Sequence, residues 1–235
     1  MLEPLPDSFI AARDGMHALA EHVLAPARYR SDGHIGLVPT PGGFGTPTFG
    51  DGERVRVDGV ELVHERPGTS TRVRITTLGA AAQFVGISPG APAEVYTPAT
   101  PCDPDLSLAL DADAANVLAS WIALGESILD HLREAYAAHD ATAAIIWPEH
   151  FDLASELGDE SAGTRATYGA SPGDNAIAQP YLYVGPWEAS RRSGKLAAYP
   201  WGAAMTYEEL GAAADPKGAG IDFFLEGAAL LLGQP

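Results

Sequence analysis

The residues best suited to chemistry lie within the stretch 149–152, which holds Glu149, His150 and Asp152. Carboxylates beside an imidazole are the ingredients of a general acid–base pair or of a site for a metal ion. If the chain stays extended after Pro148, His150 and Asp152 leave the same face of it. We therefore predict a catalytic site at these three residues and leave open whether a metal takes part. The alternative is that they only satisfy backbone groups of a loop.

A second group of residues is suited to holding a ligand. Ser171 and Asp174 occupy a turn that contains Pro and Gly, and aromatic side chains lie on both sides of it in the sequence. A pocket with aromatic walls and a few fixed polar groups is the usual form of a small-molecule site. The predicted ligand-binding residues are Trp147, Ser171, Asp174, Tyr181, Tyr183 and Trp187.

A third group is a histidine–carboxylate pair in the clearest hairpin of the chain. Asp58-Gly59 between two alternating segments predicts a two-residue turn, which would place Val57 opposite Val60 and Glu53 opposite His64. Such a pair usually closes the edge of a sheet. The sequence leaves open whether His64, together with His34, joins the predicted site.

Regular elements must position these groups. The apolar spacing predicts a helix over 7–24 that ends at Pro26, with His17 and Glu21 forming a surface pair four residues apart. A long helix over 111–138 has Asp111 as its N-cap and a continuous apolar stripe. A capping box at Thr206 and Glu209 and a Pro after Asp215 begin two terminal helices. Further strands are predicted over 71–77, 142–147, 164–169 and 180–184.

Together these elements predict an α+β fold, in which antiparallel sheets of hairpins and meanders pack against one long central helix plus terminal helices. The Pro-rich stretch of about 87–108 could link two domains, but a lone meander needs a partner for its apolar face. We therefore expect residues 1–235 to form a single globular domain.

Composition and charge exclude several classes of protein. Fourteen basic and 31 acidic residues give a net charge of −17, which disfavours binding to nucleic acid backbones and to anionic membranes. The single cysteine excludes a disulfide framework, and the start of the chain has no signal-peptide pattern, so we expect a cytoplasmic protein. Residues 28–74 hold seven arginines and six acids. This stretch is either an arginine-bearing sheet or an anion-binding patch near Arg54, Arg56, Arg72 and Arg74.

Five strings in this order resemble an actinobacterial family of uncharacterised proteins: TPGGFGTPTFG (40–50), TTLGAAAQFVG (76–86), IIWPEHFD (145–152), YGASPGD (168–174) and PYLYVGPW (180–187). The resemblance implies motif positions and no reaction. The family often has His and Glu where this chain has Ile177 and Gln179. A site built on those two groups would be incomplete here.

Three functions follow from these patterns. The first is a small-ligand-binding domain with an aromatic-lined pocket. The second is a hydrolase or isomerase that uses His150, Asp152 and Glu149, with or without a metal. The third is a protein–protein adaptor that uses the aromatic PYLYVGPW edge. The sequence determines neither the cofactor nor the oligomeric state.

Overall fold

The computed structural model describes residues 1–108 and 110–233 and confirms the α+β class, with two antiparallel five-stranded sheets and a long central helix. The chain divides into two compact units. The N-terminal unit comprises Pro4–Ile122 and Ile146–Phe151, and the C-terminal unit comprises Met1–Glu3, Ala123–Ile145 and Asp152–Pro235. The expected single domain stays a prediction. None of the helices in the described part of the chain is long and apolar enough to cross a membrane.

The first helical region extends beyond the predicted end at Pro26. It consists of α1 (Phe9–Leu19), a π-helical turn (Ala20–Leu24) and α2 (Ala25–Asp32), with Pro26 in the first turn of α2. Proline has no N–H and its ring clashes with the carbonyl four residues earlier in a regular helix. The wider π-helical turn accommodates it at this point, so the helix does not end.

The first sheet belongs to the N-terminal unit and has the strand order β1-β2-β3-β4-β5. Its strands are β1 (Val38–Thr40), β2 (Gly43–Gly45), β3 (Arg54–Asp58), β4 (Glu61–Arg66) and β5 (Thr69–Arg74). The predicted hairpin register is wrong by one residue on each strand, because Asp58 pairs with Glu61 and the two turn residues are Gly59 and Val60. Gly59 has φ +60° at the first turn position, the place that type II′ turns reserve for glycine.

The stretch after the first sheet contains a helix that the sequence analysis missed. Helix α3 (Leu78–Val85) begins at Thr77, whose hydroxyl accepts a hydrogen bond from the Ala80 N–H. The Pro-rich connection that follows leads to α4 (Ala112–Ala135), where Asp111 accepts hydrogen bonds from two backbone N–H groups, as predicted for its N-cap. Helix α4 is continuous across the boundary between the two units.

The second sheet has the order β10-β9-β8-β7-β6. Its strands are β6 (Ile145–Trp147), β7 (Asp152–Leu157), β8 (Ala166–Ser171), β9 (Tyr181–Pro186) and β10 (Ala203–Thr206). Two 3-10 turns, Ala189–Arg191 and Gly194–Ala197, lie between β9 and β10, and α5 (Tyr207–Ala212) and α6 (Pro216–Leu232) follow.

The helices of the C-terminal unit lie close to the sheet through glycines. A Cβ on Gly125 of α4 would lie 2.5 Å from the Cβ of Ala170, and one on Gly227 of α6 would lie 2.9 Å from the Val184 side chain. The capping box of Thr206 and Glu209 is present as predicted. Glycine is therefore required where α4 and α6 meet β8 and β9.

Candidate functional site

Five predicted site residues lie together in the C-terminal unit, and we call them the tyrosine–aspartate cluster: Asp152, Ser171, Asp174, Tyr181 and Tyr183. The Tyr183 hydroxyl donates a short hydrogen bond to Asp152, and the Tyr181 hydroxyl donates to Asp174 at 2.7 Å. The Tyr181 hydroxyl also hydrogen-bonds Ser171. Strands β8 and β9 bring the group together, because Ser171 and Tyr181 are directly paired.

A turn and a glycine explain the positions of Asp174 and Tyr183 in the tyrosine–aspartate cluster. Asp174 is exposed and folds its own turn by accepting hydrogen bonds from the N–H groups of Ala176 and Ile177. The Tyr183 ring covers Gly169, where a Cβ would lie 2.4 Å from a ring carbon. The structure thus uses glycine on β8 to make room for the tyrosine on β9.

Two aromatic residues missed by the sequence analysis extend the tyrosine–aspartate cluster. The Trp201 ring centroid lies 5.9 Å from those of both Tyr181 and Tyr183, and Tyr199 stacks on Trp201 at 4.9 Å. Both residues lie just before β10, and the pairing of β10 with β9 brings them beside Tyr181 and Tyr183. The sequence analysis missed them because no periodic pattern indicated β10.

The hydroxyl groups of the tyrosine–aspartate cluster stay protonated at neutral pH. Burial raises the pKa of Tyr183, and the neighbouring Asp152 charge raises it further. Burial likewise raises the pKa of Tyr181, with the hydrogen bond to Asp174 acting in the same direction. Both tyrosines therefore act as fixed hydrogen-bond donors to carboxylates.

Trp187 lies at the other end of strand β9 from Tyr181. It lines an open pocket of about 590 Å³ in the C-terminal unit. The pocket is formed by Ala138, His139, Asp140, Gly158, Asp159, Glu160, Thr164, Arg165, Trp187 and Leu232. The sequence assigned Trp147, Tyr181, Tyr183 and Trp187 to one pocket. Of these four residues, only Trp187 lines the open pocket.

The Trp187 side chain forms a fixed wall of this pocket, which we call the Trp187 pocket. Its Nε1–H donates to the Thr167 hydroxyl at 3.0 Å, and the Arg165 guanidinium lies 5.4 Å from the ring centroid. The residue nevertheless keeps 42% of its surface exposed. An indole that is held in place and still accessible is suited to contact a ligand.

The charges of the Trp187 pocket are mainly negative. Arg165 is neutralised by ion pairs with Glu156 at 2.6 Å and Asp140 at 3.2 Å, and the hydrogen bonds that it donates to Glu156 raise the pKa of Arg165. Asp159 and Glu160 add two further carboxylates. Hydrogen bonds from Ser161 lower the pKa of Asp159, so this group is ionised at neutral pH.

The predicted catalytic residues Glu149 and His150 do not continue an extended strand. Residues 148–151 form a turn in which the Phe151 N–H donates to the Trp147 carbonyl at 2.7 Å, and Phe151 has φ +53°. His150 is exposed, whereas the Glu149 Oε2 atom is buried and no described residue hydrogen-bonds it. Trp147, at the end of β6, is half-buried. The catalytic role of His150, Asp152 and Glu149 stays a prediction.

The N-terminal unit contains a polar cluster that the sequence analysis missed. Glu21 is fully buried rather than paired at the surface, and its carboxylate accepts hydrogen bonds from the N–H groups of Ala99 and Thr100, each at 2.8 Å. The next residue, His22, accepts the Ala91 N–H at Nδ1. Both residues lie in the π-helical turn and hold the Pro-rich connection. The signal in the sequence that could have indicated this cluster is the presence of an acidic residue and a histidine among apolar helix residues.

Two more titratable side chains, those of His17 and Tyr96, lie beside Glu21. His17 Nε2 donates to the Pro148 carbonyl at 2.9 Å, and its ring stacks on Phe151 with centroids 5.3 Å apart. Burial lowers the pKa of His17, although the Glu21 charge acts in the opposite direction. Burial, together with the charges of Glu21 and Glu149, raises the pKa of Tyr96.

The predicted Glu53–His64 pair is present, with Nε2 and Oε2 2.8 Å apart. His64 is buried and Glu53 is half-buried. The hydrogen bond from His64 is the main cause of the lowered pKa of Glu53. His34 is exposed, and its backbone N–H donates to Asp32.

Within the described residues, no group of three or more His, Cys, Asp or Glu side chains is arranged to hold a metal ion. No protein-family model matches the sequence, and neither a curated protein nor a solved structure is similar to it. The resemblance to an actinobacterial family therefore stays a prediction.

Proposed function

We propose that this protein binds a small organic molecule in the Trp187 pocket, and that the ligand carries a positive charge and an apolar or aromatic part. The observation that carries the proposal is the accessible indole of Trp187 in an open pocket of about 590 Å³. Pockets of roughly 300–1,000 Å³ hold typical small ligands.

The charge of the ligand follows from the lining. Asp140, Asp159 and Glu160 contribute three carboxylates, against the single guanidinium of Arg165. An organic cation gains from this potential, and its ammonium group also interacts favourably with an indole ring. The net charge of −17 acts in the same direction at long range.

The burial of the remaining aromatic residues supports a pocket over a flat docking edge. Tyr181 is only 5% exposed and Tyr183 covers Gly169, so Trp187 is the exposed aromatic residue of the PYLYVGPW stretch. The tyrosine–aspartate cluster then supports strand β9, from which Trp187 projects into the pocket.

Calorimetric titration with three compounds that share a phenyl group tests the proposal. Phenethylamine is cationic, phenylethanol is neutral and phenylpropanoate is anionic. We expect phenethylamine to bind at least tenfold more tightly than phenylpropanoate, with phenylethanol between them. Equal or reversed affinities would contradict the charge assignment.

Two variants locate the binding. Trp187→Leu should weaken phenethylamine binding about tenfold, as expected for the loss of an aromatic anchor. Glu160→Gln should weaken it about threefold, the scale of an exposed ion pair. Asp222→Asn is the matched control, since it removes one exposed charge from α6 at a residue that does not line the pocket. It should leave the affinity unchanged.

A further inference from the structure

Strand β5 is the last strand of the first sheet, and no strand in the described part of the chain pairs with its outer edge. The Ile75 N–H donates to the Val60 carbonyl at 2.9 Å, which fixes the hydrogen-bond alternation along the hairpin. Residues 69, 71 and 73 therefore direct their N–H and C=O groups to β4, and Ser70, Arg72 and Arg74 direct theirs outward. Within the described residues these three pair only with β4, and no strand lies on their outer side.

The continuation of this edge is already paired with another segment of the chain. Beyond β5, the outward carbonyl of Thr76 accepts the Leu108 N–H at 3.1 Å, and the Leu78 N–H donates to the Leu106 carbonyl at 3.2 Å. Thr77 and Ser107 form an antiparallel bridge. An extended segment thus already lies along the edge at residues 76–78, and the row of donors and acceptors at 70–74 continues the same line.

Strand β5 carries arginines and no acidic residue in a strongly acidic protein. Residues 66–93 contain three arginines, Arg66, Arg72 and Arg74, and no Asp or Glu. All six residues of β5 are exposed, and Val73 is 38% exposed on the opposite face of the strand from Arg72 and Arg74. Arg72 pairs with Glu61 at 2.9 Å and Arg66 with Glu53 at 3.3 Å, whereas no ion pair of Arg74 is found among the described residues. The edge therefore offers an added strand two basic neighbours, Arg72 and Arg74, on one face and Val73 on the other.

We infer that the β5 edge binds an extended acidic segment of a partner protein by adding it to the first sheet as a sixth strand. Main-chain hydrogen bonds to Ser70, Arg72 and Arg74 provide affinity, and carboxylates opposite the two arginines provide specificity. A second copy of this chain fits poorly, because antiparallel pairing of two β5 strands puts arginines of one copy beside those of the other.

Arginine on an edge strand is also a common means of preventing aggregation. The arginines would repel a second β5 strand, but they would not prevent an acidic strand from binding. The edge has no proline within β5, whereas β1 at the opposite end of the sheet contains Pro39. The two edges of the sheet thus differ in their ability to accept a strand.

The test uses the peptide acetyl-TEVEVET-amide, which places acidic and β-branched residues on alternate faces, and the charge-reversed control acetyl-TKVKVKT-amide. Amide hydrogen exchange of the full chain is followed by NMR at about 50 mM salt, which limits screening. We expect the N–H groups of residues 70, 72 and 74 to gain at least tenfold protection with the acidic peptide and none with the basic one. The N–H groups of residues 69, 71 and 73 should change little.

Variants separate backbone pairing from charge. Ser70→Pro removes an outward N–H without taking a hydrogen bond from β4, and should weaken peptide binding at least tenfold relative to Ser70→Ala. Arg74→Gln should weaken it about threefold. The inference is overturned if residues 70, 72 and 74 gain no protection at saturating peptide, or if both peptides protect them equally. It is also overturned if protection without peptide rises with protein concentration, which would indicate self-association.

Discussion

The carboxylate of Glu21 and the backbone N–H of Thr100 lie 2.8 Å apart although 79 positions separate them in the sequence. The Thr100 hydroxyl donates to the same carboxylate oxygen at 2.5 Å, and the Ala99 N–H donates to the other oxygen. One fully buried side chain therefore satisfies three donors of the Pro-rich connection. It anchors that connection to the π-helical turn.

Glu21→Ala should destabilise the protein strongly. The substitution leaves three donors without their acceptor, each at a cost of roughly 1 kcal/mol or more, so we expect a loss of about 3 kcal/mol in the free energy of unfolding. Urea denaturation measures it. Glu134→Ala, at an exposed position of α4, is the control and should change the value by less than about 0.5 kcal/mol. Equal effects of the two variants would refute the anchoring role.

His17 should make stability depend on pH. Burial lowers its pKa below the ordinary value of 6.5, so the unfolded chain takes up a proton at a higher pH than the folded chain does. The stability is therefore fully present above about pH 6.5 and decreases as the pH falls towards the folded-state pKa. His17→Gln should reduce the difference in unfolding free energy between pH 7 and pH 5. His131→Gln, at an exposed position, should not.

Tyr183→Phe tests whether the tyrosine–aspartate cluster supports the fold. The change removes the donor to the buried Asp152 carboxylate and should cost about 1–3 kcal/mol. Tyr199→Phe removes a hydroxyl from the half-buried ring that stacks on Trp201 and should be nearly neutral. A neutral Tyr183→Phe would show that the hydrogen bond to Asp152 contributes little to stability. Thermal unfolding followed by circular dichroism compares the two.

Two substitutions of glycine by alanine should change the free energy of unfolding in opposite directions. Gly125→Ala would place a Cβ 2.5 Å from that of Ala170, so α4 must move away from β8 at a cost of about 1–3 kcal/mol. Gly211→Ala in α5 meets only the Leu2 side chain at 3.9 Å and should stabilise the helix by up to about 1 kcal/mol. Chemical denaturation of both variants checks the difference. Stabilisation by both would mean that α4 does not contact β8 closely.

The sequence predicted elements whose signals are local. Asp111 as the N-cap of α4 and the capping box of Thr206 and Glu209 are confirmed, because each depends on residues within one turn of helix. The Gly59 turn was recognised but its register was not, since glycine at the first turn position and glycine at the second predict different pairings.

The residues that the sequence analysis missed owe their positions to distant contacts. The burial of Glu21 depends on donors near residue 100, so a pattern within one helix could only indicate a surface pair with His17. The Trp187 pocket combines the segment after α4 with the turn after β7, where the Gly158 N–H donates to the His139 carbonyl at 2.9 Å. Each segment looks like an ordinary acidic turn when taken alone.

The indole N–H resonances of the four tryptophans during titration with phenethylamine show whether the ligand binds in the Trp187 pocket. The Trp187 resonance is assigned by its loss in Trp187→Leu. We predict that this resonance shifts in a saturable manner, whereas those of Trp121, Trp147 and Trp201 shift little. Phenylpropanoate at the same concentration should leave it in place. An unmoved Trp187 resonance at saturating phenethylamine, or a larger shift at Trp147 or Trp201, would contradict ligand binding in the Trp187 pocket.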